Sequence, residues 1–246
     1  ALGSQAAVLL LNARLFTDLR RMFYSTVRAL ADAVDAKDPY THGHSRRVAA
    51  YAVAVAKRLD LPPAQVSDLE LAALLHDVGK AVLPASVLSK SEKLTGKEYR
   101  LIKEHPLRGA SIIKPLKALK VSAPMILHQR ERYDGKGYPD KLKGKKIPLG
   151  ARIISVVSAF EAMTSRGTYR ARKTIDRAVE EIKKNAGTQF DPDCVAALAQ
   201  ALFGRAGTML LPMMAKGAAG IEAHQKEARR LGLTMSSEDA KAAEDF

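Results

Sequence analysis

Apolar side chains recur at the three- and four-residue spacing of an α-helix along the first part of this sequence, a pattern that excludes a β-strand. The series over residues 6–37 is Leu10, Leu15, Leu19, Met22, Phe23, Val27, Leu30 and Val34. A single long helix is therefore predicted, ending at the helix-breaking pair Asp38-Pro39. Two interpretations stay open: the helix relays from an upstream sensor or pairs with a second copy, or it simply packs against the domain.

The remaining sequence also has helical spacing, interrupted by proline and glycine. No period-two strand pattern and no internal repeat stands out, so an all-α fold is predicted. The predicted helices cover 43–59, 64–77, a segment capped by Thr95 with Glu98, a segment from about Leu107, 119–130, 150–165, 172–185 and 192–203. Residues 134–148 are rich in Gly, Pro and Lys and are predicted to be a loop. The predicted organisation is a leading helix at 1–34, a domain at 35–203, and a C-terminal extension at 204–246 with a helical tail.

Composition narrows the choice of partner and compartment. The chain is 47% hydrophobic but only 5% aromatic and lacks Trp, which suits a core of closely packed helices. A net charge of +14 favours an anionic partner and is equally compatible with a solubilising surface. No groove-reading module is evident, so no specific nucleic-acid partner is predicted.

The single cysteine, Cys194, allows no internal disulfide and fits a reducing, cytoplasmic compartment. The apolar run from Ala6 to Leu11 is too short to span a bilayer, so no transmembrane segment is predicted in this sequence. Because the chain begins with Ala and not Met, we expect it to be part of a larger sensor protein with a domain upstream.

The pair His76-Asp77, within Leu-Leu-His-Asp-Val-Gly-Lys, is the strongest chemical signal. Both side chains can bind one metal ion, and the carboxylate can bridge to a second, as phosphoester hydrolysis often requires. Lys80 follows three residues later, where it could offset charge on a phosphate. A His-Asp pair alone is weak evidence, because an aspartate near a helix terminus beside a buried histidine is a common structural arrangement.

Several further motifs follow in a fixed order, and together they resemble the HD-GYP family of bacterial cyclic-di-GMP phosphodiesterases. The motifs are His44, His76-Asp77, Pro84, Leu88-Ser89-Lys90, Glu98, His105-Pro106, Gly137-Tyr138-Pro139, Ala151-Arg152-Ile153, Tyr169-Arg170 and Phe190-Asp191-Pro192. The resemblance covers residues 35–200, about two-thirds of the chain. It implies an all-α HD-domain helical bundle that binds metal and acts on a cyclic dinucleotide.

The resemblance also implies a metal site, in the family usually of iron or manganese. His44, His76 and Asp77 match the ligands of one ion. Asp77 would bridge to a second ion that His105 also holds. Asp35 stands where the family has a glutamate ligand to an optional third ion.

The resemblance further implies how a nucleotide would be bound. Lys80 matches a lysine near the scissile phosphate, so Asp77 and Lys80 are the predicted catalytic residues. Arg170 matches a residue that binds a ligand phosphate. Tyr138 lies in the signature loop, near the guanine end of the ligand, and that loop also contacts signalling partners in the family.

The sequence departs from the family pattern at the predicted metal ligands. Gln129 and Arg130 replace two consecutive histidines, and Ser158 replaces the aspartate that completes the first site. Gln and Ser are poor ligands for a transition metal, and Arg130 introduces a fixed positive charge. His128 lies one residue early, a rotation of about 100° on a helix, so it reaches the metal only if the helix end is rebuilt. Glu161 keeps a carboxylate at the second acidic position.

These departures predict a degenerate site with at most one divalent ion. Arg130 is predicted to replace a metal charge, pairing with Asp77 or a ligand phosphate. The favoured function is cyclic-di-GMP signalling by ligand binding or protein contact, with weak or no hydrolysis. The alternatives are an active phosphodiesterase that uses His128, a nucleic-acid binder suggested by the net charge, and a structural scaffold.

Overall fold

A computed structural model of the protein describes residues 2–37, 43–90, 92–165 and 173–203, with the backbone alone for residues 2–4. Its α-helices are α1 (Leu2–Asp35), α2 (His44–Arg58), α3 (Pro63–Leu74), α4 (Ala85–Leu88), α5 (Gly96–Lys103), α6 (His105–Ile113), α7 (Ser122–Leu127), α8 (Leu149–Thr164), α9 (Ile175–Lys184) and α10 (Pro192–Phe203). Short 3-10 helices cover Val78–Val82, Lys117–Leu119 and Gly144–Lys146. The described ranges hold no strand, only an isolated bridge between Ala186 and Phe190, and the all-α prediction is confirmed. The predicted helical tail at 204–246 lies outside the described residues.

Most helices fall where the periodicity predicted them, and the differences lie at their ends. The capping box of Thr95 and Glu98 is present at the start of α5, where the Thr95 hydroxyl accepts from the Glu98 backbone N–H. The predicted helices over 64–77 and 119–130 end early, at Leu74 and Leu127. In both cases the chain turns out of the helix so that polar side chains following it enter the interior.

The core is built from Ala, Val, Leu and Ile, as the composition predicted. Helices α2, α3, α8 and α10 pack around it. Among the few aromatic residues of the core, Tyr51 and Phe160 meet edge to face with ring centroids 5.0 Å apart. None of the helices in the described part combines the length and apolarity that crossing a bilayer requires.

Among the described residues, helix α1 contacts the domain through its C-terminal part. Val27, Ala31 and Val34 are buried on one face, whereas every residue from 5 to 22 is exposed. Tyr24 and Ser67 are joined by a hydrogen bond between their hydroxyls, which ties α1 to α3. The C-terminal part of α1 therefore packs on the domain, and residues 5–22 extend away from it.

The end of α1 fixes the start of α2. The Asp35 carboxylate accepts hydrogen bonds from the Ser45 backbone N–H (2.9 Å) and hydroxyl (2.7 Å). Arg46 donates to Asp32 through two nitrogens, at 2.9 and 2.5 Å. Because these bonds satisfy donors in the first turn of α2, they hold its first residue, His44, in place.

Two glycines allow a very close approach between the Val78–Val82 turn and α6. A Cβ added at Gly79 would lie 1.9 Å from the His105 carbonyl oxygen, and one at Gly109 would lie 3.2 Å from the Gly79 nitrogen. Only glycine fits at position 79, because a side chain there would push the two backbones apart. This contact brings His105 next to the turn that carries Asp77.

Candidate metal centre

The side chains of His44, His76 and Asp77 converge in the interior. Their ligand atoms all lie within 4.8 Å of one another, and all three residues are buried. His44 Nε2 is 3.3 Å from His76 Nε2 and 3.9 Å from Asp77 Oδ2. His76 Nε2 is 3.6 Å from Asp77 Oδ1. The structure thus brings together the residues predicted for the first metal.

Backbone carbonyls orient two of the imidazole rings. His76 Nδ1 donates to the Ala73 carbonyl and His105 Nδ1 donates to the Ile102 carbonyl, each at 2.7 Å. In each ring Nε2 is therefore left as the acceptor, and it faces Asp77. Burial lowers the pKa of His76 to about 3 and that of His105 to about 4, so both rings are neutral at pH 7 and have a lone pair to offer a metal ion.

The third imidazole, His44, is oriented by Glu161 on α8. One carboxylate oxygen of Glu161 is hydrogen-bonded to His44 Nδ1, and the other accepts from Arg47 at 2.7 Å and from the Ser165 hydroxyl. Burial opposes ionisation of Glu161, but the hydrogen bonds and charges of His44, Ser165 and Arg47 together outweigh it and lower the pKa of Glu161 to about 2. A carboxylate behind a metal-facing histidine fixes its tautomer and orientation.

This arrangement was not predicted from the sequence: Glu161 was expected only as a retained acid, and Arg47 was not among the predicted site residues. One signal was present: Arg47 follows His44 by three residues on α2, so the two side chains share a helix face.

A second group of polar atoms surrounds the other side of Asp77. Asp77 Oδ1 lies 3.5 Å from His105 Nε2 and 3.7 Å from Arg130 Nη2, and Lys80 Nζ lies 2.6 Å from Oδ2. Asp77 Oδ1, His105 Nε2 and Arg130 Nε are buried and have no hydrogen-bond partner among the described residues. Burial opposes ionisation of Asp77, but the surrounding basic groups, His76, Lys80, His105 and Arg130, together outweigh it and hold the pKa of Asp77 well below its usual range.

The side chains of Gln129 and His128 contact groups other than the predicted metal ligands. The buried amide of Gln129 donates to the His76 backbone carbonyl, so this side chain braces the turn that carries the site. His128 Nδ1 lies 3.9 Å from Glu131 Oε1 and 3.8 Å from Asp140 Oδ2, and His128 does not join the His44, His76 and Asp77 group. Ser158 is buried on α8.

These residues fit one divalent ion better than two. His44, His76 and Asp77 offer two imidazole nitrogens and a carboxylate at ligand spacing. The unpartnered Asp77 Oδ1 and His105 Nε2 are further donors that an ion would satisfy. The space where the HD-GYP family holds its second metal ion would have to accommodate the Arg130 guanidinium. This group cannot lose its proton and cannot bind a metal.

The remaining predicted site residues lie around this centre or outside the described ranges. Both carboxylate oxygens of Asp35 are bonded to Ser45, and Asp35 is not a member of the metal-binding group. Tyr138 is half-buried, with Lys103 Nζ 5.2 Å from its ring centroid. Arg170 lies outside the described residues.

The Gly-Tyr-Pro loop folds back onto residues 130–132. A Cβ on Gly137 would lie 2.3 Å from the Arg132 nitrogen, so only glycine fits there. The Tyr138 N–H donates to the Arg130 carbonyl at 3.3 Å, and the Asp140 N–H donates to the buried Glu131 carboxylate at 2.7 Å. The loop and Arg130 therefore form one local unit beside Asp77.

Comparison with known proteins identifies the family. The sequence profile of the HD domain family matches residues 28–194, and the chain belongs to that family. The 3'3'-cGAMP-specific phosphodiesterase 3 of Vibrio cholerae is 40% identical over 176 residues, which are 72% of this chain and 38% of that protein. The cyclic di-GMP phosphodiesterase response regulator RpfG of Xanthomonas campestris is 40% identical over 175 residues, 70% of this chain and 46% of that protein. The chain thus spans less than half the length of these two relatives.

Solved structures agree on the fold. The crystal structure of a cyclic GMP-AMP-specific phosphodiesterase of V. cholerae aligns with a TM-score of 0.63 at 22% identity, covering 79% of this chain and 51% of that one. An HD-GYP-type protein of Bdellovibrio bacteriovorus aligns with a TM-score of 0.54 at 23% identity, covering 65% and 52%. The predicted resemblance to the HD-GYP family is confirmed.

Proposed function

We propose that this chain is a cyclic-dinucleotide-binding domain of bacterial signalling that acts by ligand binding and protein contact, with weak or no hydrolysis. The observation that carries the proposal is the guanidinium of Arg130, 3.7 Å from Asp77 Oδ1, at the position where the family has a metal-ligating histidine. A fixed positive charge supplies electrostatic attraction for phosphate but no open coordination position. The proposed site therefore favours binding over bond cleavage.

The proposed centre holds one ion, iron or manganese, through His44, His76 and Asp77. When bound, the ion would supply Lewis acidity and positive charge toward a phosphate oxygen. Glu161 orients His44, and Lys80 and Arg130 bring two further cationic side chains to Asp77. In this proposal Asp35 supports α2, and the optional third ion is absent.

The proposed ligand is cyclic di-GMP or a related cyclic dinucleotide, since such nucleotides appear in the names of the relatives. Lys80, Arg130 and Arg170 would contact its phosphates, and Tyr138 would lie near a base. The net charge of +14 would assist association with an anionic ligand. The proposal includes a cytoplasmic location, contact with signalling proteins through the Gly-Tyr-Pro loop, and pairing of two copies through α1.

Two measurements on the same protein test the proposal. Calorimetric titration with cyclic di-GMP and with 3'3'-cGAMP should show binding. Arg130→Ala and Lys80→Ala should each weaken it by about tenfold to a hundredfold, the effect of one charged hydrogen bond. Lys57→Ala is the matched control, because it removes one charge at the other end of α2, about 20 Å from His44.

The second measurement is turnover of both nucleotides with added Mn²⁺ or Fe²⁺. The expected rate is at or near background. Metal-dependent hydrolysis that disappears in His76→Ala would contradict the proposal and favour the alternative, an active phosphodiesterase with a rearranged ligand set. In that case His128→Ala should also abolish turnover. If neither nucleotide binds, the ligand class proposed here is wrong.

A further inference from the structure

The exposed part of α1 carries an unusual number of large apolar side chains. Residues 5–22 are exposed on every face of the helix. The apolar members, each between 56% and 72% exposed, are Val8, Leu9, Leu10, Leu11, Leu15, Phe16, Leu19 and Met22. Monomeric proteins seldom leave so much contiguous apolar surface in water, so this part of the helix has the character of an interface.

A regular seam runs along this surface and continues past it. Its members alternate at spacings of four and three residues: Val8, Asn12, Leu15, Leu19, Met22, Thr26, Ala29 and Ala33. All eight are exposed. Their mean direction is about 120° around the helix from the buried stripe of Val27, Ala31 and Val34, so a second helix could lie along the seam without displacing the domain.

We propose that the seam pairs with the same seam of a second copy, forming a parallel, in-register two-stranded coiled coil. The alternation of four and three residues is the 3.5-residue repeat that lets two helices stay in contact over their length. From residue 8 to residue 33 the contact would extend for about 39 Å. This proposal does not depend on nucleotide binding.

Asn12 is the reason to assign the partner as an identical helix. An amide within an apolar seam is costly unless another polar group meets it. In a parallel, in-register pair Asn12 lies opposite its own counterpart, and the two amides can bond to each other. An antiparallel pair that used the whole seam would place Asn12 opposite Ala29 and leave the amide without a partner.

The C-terminal part of the seam and the positions of the charged residues agree with the parallel arrangement. Thr26, Ala29 and Ala33 are small, so two helices can approach closely where both domains would lie side by side. Between residues 5 and 26 the charged residues are Arg14, Asp18, Arg20 and Arg21. None lies on the seam, and the three arginines lie more than about 100° away from it, where they remain in water.

The proposal is tested by the mass of the full 246-residue protein in solution, measured by light scattering and by sedimentation. The wild type should be a dimer at micromolar concentration. Leu19→Glu should weaken the dimer at least tenfold and shift the mass to that of a monomer. Leu10→Glu is the matched control: Leu10 is more exposed than Leu19 (72% against 58%) but lies on the far side of the helix, so this variant should remain dimeric.

Orientation is tested by cysteine crosslinking. The native Cys194 is fully buried, and burial raises the pKa of its thiol to about 12, so it contributes no background. Asn12→Cys should form an intermolecular disulfide under mild oxidation, whereas Leu10→Cys should not. A monomeric wild type, a tetramer, or equal effects of Leu19→Glu and Leu10→Glu would overturn the proposal. A dimer in which Asn12→Cys does not crosslink would overturn its parallel orientation.

Discussion

At the residue scale, the Glu161 carboxylate acts on the centre from behind one of the predicted ligands. Glu161 occupies a position where the family has an acid, yet in this structure its carboxylate lies behind His44 and is shared with Arg47 and Ser165. It acts on the centre through another side chain, so it is a positioning residue. Its negative charge also pairs with the Arg47 guanidinium at 2.7 Å.

Loss of the Glu161 charge should weaken metal binding without unfolding the protein. Glu161→Gln keeps an oxygen for His44 Nδ1–H but loses the ion pair with Arg47, so affinity for Mn²⁺ should fall about tenfold, with Glu161→Ala nearer a hundredfold. Calorimetric titration of Mn²⁺ measures both. Glu104→Gln, which loses an exposed ion pair with Arg108 (2.7 Å), should leave the affinity unchanged. Equal affinities for wild type and Glu161→Ala would contradict the positioning role.

At the scale of single elements, buried polar contacts determine how α8 and α10 are joined. Arg152 on α8 forms an ion pair with Asp191, which is fully buried, and also donates to the Ile147 carbonyl at 2.9 Å. Asp191 in turn accepts from the Asp193 N–H (2.8 Å) at the start of α10. The Arg152–Asp191 pair therefore connects α8 with the start of α10, and Arg152 also holds Ile147 at the end of the 134–148 loop.

Disruption of this pair should be among the most damaging changes outside the metal centre. Asp191→Ala leaves Arg152 with its charge largely buried and unpaired, so the free energy of unfolding should fall by about 3–5 kcal/mol. Urea titration followed by circular dichroism measures the change. Lys145→Ala loses an exposed ion pair with Asp193 (3.5 Å) and should alter stability by about 0.5 kcal/mol or less. A loss below about 1 kcal/mol in Asp191→Ala would show that the pair is not stabilising.

The elements also show what the sequence could and could not predict. Helical periodicity located most helices, because the apolar face of each one packs into the core and the spacing records that face. It extended two helices too far, past Leu74 and Leu127, because nothing in the local pattern shows that His76 and Gln129 turn inward. A tertiary hydrogen bond, from the Gln129 amide to the His76 carbonyl, decides where those helices end.

For the molecule as a whole, the resemblance to the HD-GYP family predicted which residues meet at the metal centre, and helical periodicity could not. Motif order predicted that His44, His76 and Asp77 would meet, although His44 lies 32 residues before His76, and the structure places their ligand atoms within 4.8 Å of one another. The Glu161 and Arg47 pair was not predicted: the three-residue step from His44 to Arg47 places both on one helix face, but rotamers and hydrogen-bond partners do not follow from spacing. The expected third-metal role of Asp35 stays a prediction; in the structure both of its carboxylate oxygens accept hydrogen bonds from Ser45.

The number of ions bound should be visible in the stability of the entire fold. An ion that binds only the folded state adds about 2.7 kcal/mol at 100 times its Kd, which for a chain of this size raises Tm by about 5–10 °C. Saturating Mn²⁺ should therefore stabilise the wild type, with one ion per chain by elemental analysis. His76→Ala should lose both effects, because it removes a ligand from the only centre we propose.

Restoring the two missing histidines should create the second site. In the double variant Gln129→His/Arg130→His, two imidazoles replace an amide and a guanidinium beside Asp77 and His105, so the stoichiometry should rise toward two ions per chain. Arg130→Ala alone is the matched control: it vacates the same space without adding a ligand, and it should still bind one ion. Two tightly bound ions in the wild type would refute the single-ion centre. One ion in the double variant would instead mean that Gln129 and Arg130 are not what excludes the second.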